Sequence, residues 1–203
     1  AWVFHATDLA DPDTPALDVL ASAVGSGRSS PLVKRLREER QIVLDVEAWS
    51  YTPKDPGLFG VHAECEPDKE AEVVAALRAE VARWQSEPFE TARIEQARRE
   101  VLLGAIQELA AMDGQAAAMA SGEFYAADPR HTEVYLEKVR QVTPDDLVRV
   151  ARKYLRPENG SWTILAPADA QAAGADRVAA ADLHVQDHVF PNGLRLIFRE
   201  DSR

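Results

Sequence analysis

The 203-residue chain carries 34 acidic against 23 basic side chains, for a net charge of −11, and is 46% hydrophobic and 28% charged. This is a globular composition whose negative balance repels a phosphate backbone and argues against nucleic acid as a partner. The single cysteine, Cys65, excludes an internal disulfide framework and a cysteine-rich zinc site, and the longest uncharged run, Asn159 to Ala168, is far shorter than the roughly 20 residues of a membrane span.

Ala1 to Thr7 reads as a short strand. Asp13-Thr14-Pro15 predicts a helix start, with Thr14 as cap and Pro15 where no donor is needed. Leu17, Leu20, Ala21 and Val24 follow at helical spacing until Gly25-Ser26-Gly27. Ser29-Ser30-Pro31 restarts a helix with Leu32, Val33 and Leu36 apolar and charges elsewhere. From Ile42 the period changes. Val43, Leu44, Val46, Ala48 and Trp49, then Leu58 to Cys65, predict the two arms of a hairpin around Pro53-Lys54-Asp55-Pro56-Gly57.

Pro67-Asp68 opens a long helix with Val73, Leu77, Val81 and Trp84 on one face, and Ser86 to Pro88 ends it. The next helix carries Ile94, Ala97, Val101 and Ala105 on one face. Met112-Asp113-Gly114 predicts an interruption, and Gln115 to Ala127 an alanine-rich helix suited to close packing. Thr143-Pro144-Asp145-Asp146 is the clearest start signal: a capping hydroxyl, a proline at the first helical position and two carboxylates at the positive helix end. That helix packs through Leu147, Val150, Ala151 and Tyr154, and Ser161 to Leu165 gives a fourth strand. Hairpin plus clustered helices predicts an α+β fold, a mostly antiparallel sheet packed on several helices. Residues 1–168 form the expected main domain, 169–183 an alanine-rich linker, and 184–203 a strand hairpin around Pro191-Asn192-Gly193 opening a further domain that the chain does not complete. Any targeting segment is expected upstream of Ala1.

Candidate ligands are sparse. His184-Val185-Gln186-Asp187-His188 is one methylene away from H-x-x-E-H, the helical zinc-peptidase motif. On a strand its histidines stand roughly 13 Å apart, too far to share a metal. His62, Glu64 and Glu66 share one strand face, with about 6.6 Å between neighbours, and read as a solvated or pocket-lining face. Cys65 points the other way, as a small core residue. His5 and His131 read as structural, and no nucleophile triad or phosphate loop is present. Arg35, Arg37 and Arg40 form a basic cluster with two readings: surface pairing with Glu38 and Glu39, or an arginine near the sheet edge that hydrogen-bonds carbonyls of an extended peptide.

Three segments together carry a resemblance: Ser29-Ser30-Pro31-Leu32-Val33-Lys34-Arg35-Leu36-Arg37-Glu38-Glu39-Arg40, then Val139 to Leu155 followed by Trp162 to Pro167, then Phe190-Pro191-Asn192-Gly193-Leu194-Arg195-Leu196. In order and spacing the chain resembles the pitrilysin/insulinase family of zinc metallopeptidases, which includes the mitochondrial processing peptidases. The resemblance implies a non-zinc domain of one half plus the first strands of the next half. It implies a zinc metalloendopeptidase as the whole enzyme, with the zinc motif upstream of Ala1, no catalytic or metal-binding residue in this fragment, and no activity of the fragment alone. It implies extended peptide substrates, the zinc-bearing domain of the same polypeptide and a second half as partners, and an exported or periplasmic setting; charge and run length, as above, predict neither nucleic acid nor a membrane span. Arg37 matches a substrate-contacting arginine of the family. The tyrosine expected seven residues on is Leu44, which cannot donate a hydrogen bond. Family homologues that have lost their zinc ligands act as structural or assembly subunits, and this is the rival expectation.

Overall fold

The computed structural model describes residues 1–166 and the strands Val185–Val189 and Arg195–Arg199. The chain divides into two units, Ala1–Gln171 and Ala172–Arg203. In the first, β1 (Trp2–His5), β2 (Asp45–Tyr51), β3 (Leu58–Glu64) and β4 (Gly160–Trp162) form an antiparallel sheet in the order β2-β3-β1-β4. Helices α1 (Thr14–Gly25), α2 (Glu70–Ser86), α3 (Thr91–Glu108), α4 (Met112–Ala126), α5 (His131–Gln141) and α6 (Pro144–Tyr154) join it, so the fold is α+β. In the second unit, β5 (Val185–Val189) pairs antiparallel with β6 (Arg195–Arg199). The expected linker 169–183, His184 and the Pro191-Asn192-Gly193 turn lie outside the described residues.

Register decides which sheet face is buried. Trp2 stands opposite Val61 and Trp162, and Phe4 opposite Phe59 and Gly160. Alternation then sends Trp2, Phe4, Phe59, Val61 and Val46 into the core and leaves His5, Glu47 and Tyr51 to solvent. Trp2 stacks on Trp162 with 4.6 Å between centroids.

Helix α1 is the centre of the core. Ten of its twelve residues are buried, including Leu17, Leu20 and Val24, each contributing about 1.5–3 kcal/mol by leaving water. Such a helix needs cover on every side, and α1 packs against β2, α3, α5 and α6. Gly25 lets α1 approach β2 closely, because a Cβ there would strike the backbone of Ala48.

Both ends of α1 are held from far along the chain. At its start the buried Asp13 accepts hydrogen bonds from Arg149 (2.5 Å), Lys153 (2.7 Å) and Tyr154 (2.9 Å) of α6. At its end Arg93 of α3 donates to the carbonyls of Ala23 (2.7 Å) and Ser22 (2.6 Å) in the last turn and of Ser26 (3.1 Å) just after it. Helix α6 begins with a complete capping box: Asp146 N–H donates to Thr143 Oγ1, and Thr143 N–H to Asp146 Oδ2.

Several expectations are corrected. Thr14 is not the cap: it lies inside α1, and its hydroxyl donates to Asp8 O and reaches Thr7 Oγ1, because Asp13 holds the terminal position. The break near Met112 falls earlier, at Leu109 to Ala111, and α4 itself starts at Met112. The alanine-rich segment is a helix but is not closely packed, since Gly122 is its only buried residue. The fourth strand stops at Trp162, leaving Ile164 and Leu165 exposed.

Burial raises the Asp13 carboxyl, but hydrogen bonds from Lys153, Arg149 and Tyr154 outweigh it and hold the group below its ordinary range. A carboxylate depressed in the folded state stabilises above its unfolded pKa and loses that contribution as pH falls through the folded value. Asp13→Asn is expected to cost about 2 kcal/mol at pH 7. In urea melts at several pH values, the gap from wild type should close below about pH 4.

Candidate functional site

After α1, Ser30 accepts a hydrogen bond from Val33 N–H at 3.3 Å and starts a π-helical segment, Val33–Glu39. Its wide turns are seen in the bond from Arg40 N–H to Arg35 O, five residues back. Gln41 ends the segment at φ +52°, a left-handed position more often filled by glycine, and Lys69 donates to its carbonyl at 2.7 Å. The buried Leu32, Val33 and Leu36 fix the inner side of this helix.

Its three arginines have three different settings. Arg35 donates to Glu80 at 2.7 Å, and Glu80 is buried in α2. Arg40 pairs with Glu72 at 2.9 Å on the surface. Arg37 faces Asp45, the first residue of β2, at 3.9 Å. Pairing with Glu38 and Glu39 is therefore not what holds the cluster; the partners come from α2 and β2. The Arg37–Asp45 pair is long and half-exposed at both ends, so it is worth about 0–1 kcal/mol and is readily exchanged for another acceptor.

Arg37 thus lies beside β2, the strand at one end of the sheet order. Among the described residues nothing pairs with the outer edge of β2, whose free N–H and C=O groups are a template for an extended chain. Leu44 donates its N–H to Glu64 O at 2.7 Å, which extends the hairpin, while the residue is 56% exposed next to this edge. On the outward sheet face Trp49 lies over Gly60, where a Cβ would meet its ring. His62 stands 3.7 Å from Glu64 on the same face, exposed to solvent.

Other titratable groups do not converge on this edge. Cys65 packs at the border of the core. Burial and the neighbouring Glu70, Asp68 and Glu66 raise its thiol, the opposite of an activated nucleophile. Asp18 of α1 accepts a hydrogen bond from Tyr135 of α5 at 2.7 Å, and burial raises its carboxyl. The bond ties α5 to α1. Among the described residues no group of three or more His, Cys, Asp or Glu is arranged to hold a metal ion. The donor set for a zinc ion is therefore not offered by the described residues. Of the 184–188 segment, residues 185–188 fall in β5, and His184 and the side chain of His188 lie outside the described residues.

The sequence marks the arginine cluster but not the partners that its members take. Glu80, 45 residues from Arg35, sits in a helix whose apolar spacing marks one face as core, and a carboxylate inside that face was the available signal. Asp13 gave no such signal, since its partners lie more than 130 residues away.

A family model described as the peptidase M16 inactive domain matches residues 1–101. An uncharacterized zinc protease of Streptomyces coelicolor is 31% identical over 144 residues, covering 69% of this chain and 30% of that protein. The chain spans about a third of the length of the curated relatives it matches. Among solved structures, a candidate zinc protease from Bordetella pertussis shares 25% identity with a TM-score of 0.71, over 79% of this chain and 88% of that one. The inactive peptidase domain of a candidate zinc protease from Bordetella parapertussis superposes with a TM-score of 0.69 at 24% identity, over 79% and 87% of the two chains.

The two arginine settings make opposite predictions. Glu80→Ala strands Arg35 and should cost about 2 kcal/mol in urea unfolding. Arg37→Ala should change stability by less than about 0.5 kcal/mol.

With the inactive-domain model matching from β1 into α3 and the fold shared with solved inactive domains, the chain belongs to the peptidase M16 family as a domain of its inactive type.

Proposed function

We propose that this domain is the non-catalytic companion in a zinc metalloendopeptidase of the pitrilysin/insulinase type, forming part of the wall of a chamber that admits extended peptides. The observation that carries this reading is the inactive-domain match together with relatives named as zinc proteases over three times the matched length. The zinc ion belongs, on this reading, to polypeptide other than the described residues. When bound there, zinc supplies the activation of water for peptide hydrolysis.

What this chain contributes is positioning. The unpaired edge of β2 offers backbone hydrogen bonds to an extended peptide. Arg37, only loosely engaged by Asp45, would on this reading donate to peptide carbonyls, a charge-assisted bond stronger than a neutral one. Leu44 beside it supplies apolar contact and no hydrogen bond, so the grip is one arginine and one strand edge. Such contacts read backbone and leave side-chain selection weak.

The test is kinetic, on the polypeptide encoded by the natural reading frame. It should cleave an unstructured peptide, and a chelator should abolish cleavage. Arg37→Ala should raise KM about three- to ten-fold with kcat nearly unchanged, the mark of lost ground-state binding. A polypeptide that neither cleaves nor holds zinc overturns the reading in favour of a structural or assembly subunit.

A further inference from the structure

Helix α4 turns its apolar side outward. Met112, Ala116, Met119, Ala120 and Phe124 recur at i, i+4, i+7, i+8 and i+12, a spacing that lines one side of a helix. Yet Met112 is 85% exposed, Met119 58% and Phe124 64%. The opposite side, around Gly122, rests on α5. Only Asp113 and Glu123 are charged along the fifteen residues of α4, in a chain that is 28% charged. Phe124 is flanked by Tyr125, edge-on at 5.0 Å, and by the Lys54 ammonium of the β2–β3 loop, 4.8 Å from its ring centroid. A stripe of methionine, alanine and phenylalanine facing water is a liability for an isolated particle and a contact surface for a covered one.

Building on the reading that this domain works inside a longer peptidase, we infer that the outward stripe of α4 is an interdomain interface. Its occupant is an apolar face of the same polypeptide, contributed by sequence other than this chain. Two observations favour that occupant over a second copy. Curated relatives have about two-thirds of their length outside the matched stretch, enough to supply the cover. A second copy would bring another net charge of −11 against the first. A tethered partner also acts at an effective concentration in the millimolar range, so a stripe with two or three anchors is sufficient.

The experiment compares thiol labelling in two proteins, both carrying Cys65→Ala and Met119→Cys: this 203-residue chain and the polypeptide of the natural reading frame. Maleimide labelling at position 119 should be at least ten-fold slower in the longer protein, and adding Phe124→Asp to the longer protein should restore fast labelling. Equal rates in the two proteins overturn the inference. So does slow labelling in the 203-residue chain itself: if concentration-dependent, a second copy covers the stripe, and if not, the chain's own residues do. Zinc content measured on the same longer sample separates the two claims. Zinc with an unprotected position 119 leaves the peptidase reading standing and removes the interface. Protection without zinc keeps the interface and removes the peptidase reading.

Discussion

A helix with ten of its twelve residues buried must be covered on nearly every side, and most of this domain is the cover for α1. The sheet closes one side through β2, with Gly25 allowing the approach, and α3, α5 and α6 close the others. The cost of burying its ends is met by distant polar groups. Asp13 is held by three donors of α6, and the last carbonyls of α1 are held by Arg93 of α3. Placing α1 also places the π-helical segment that follows it, and with that segment Arg37 beside the first residue of β2. The candidate site is thus a consequence of how one buried helix is packed.

Much of this was legible in the sequence because it is local. Apolar spacing marked Val73, Leu77, Val81 and Trp84, all of which are buried, and the Thr143 to Asp146 signal became a full capping box. What stayed illegible depends on contacts across long separations. Thr14 looked like a cap because a hydroxyl before a proline usually is one, but the distant donors to Asp13 fix the helix start one residue earlier. The arginine cluster looked self-sufficient beside Glu38 and Glu39, yet its acceptors come from elements 32 and 45 residues away in the chain for Arg40 and Arg35. The alanine-rich helix suggested close packing because small residues permit it; permission is not occupancy, and α4 is mostly exposed.

The three arginines of one short helix show how a domain can combine stability with readiness to bind. Arg35 is fixed by a buried carboxylate and helps hold the helix, whereas Arg37, two residues on, has only a long and solvated partner. An arginine that loses little by leaving its intramolecular partner keeps more of its hydrogen-bonding energy for a ligand. Cys65, raised by burial and surrounded by carboxylates, contributes packing and no nucleophile. On the proposed reading, the net charge of −11 belongs to one wall of a larger particle and so says little about which peptides enter it.

The division of labour is tested most directly by metal analysis of the 203-residue chain itself. After dialysis against a chelator and re-equilibration with one equivalent of zinc, the account predicts that the chain retains no stoichiometric metal and cleaves no unstructured peptide. One tightly held zinc per chain, or chelator-sensitive cleavage by the chain alone, would contradict it.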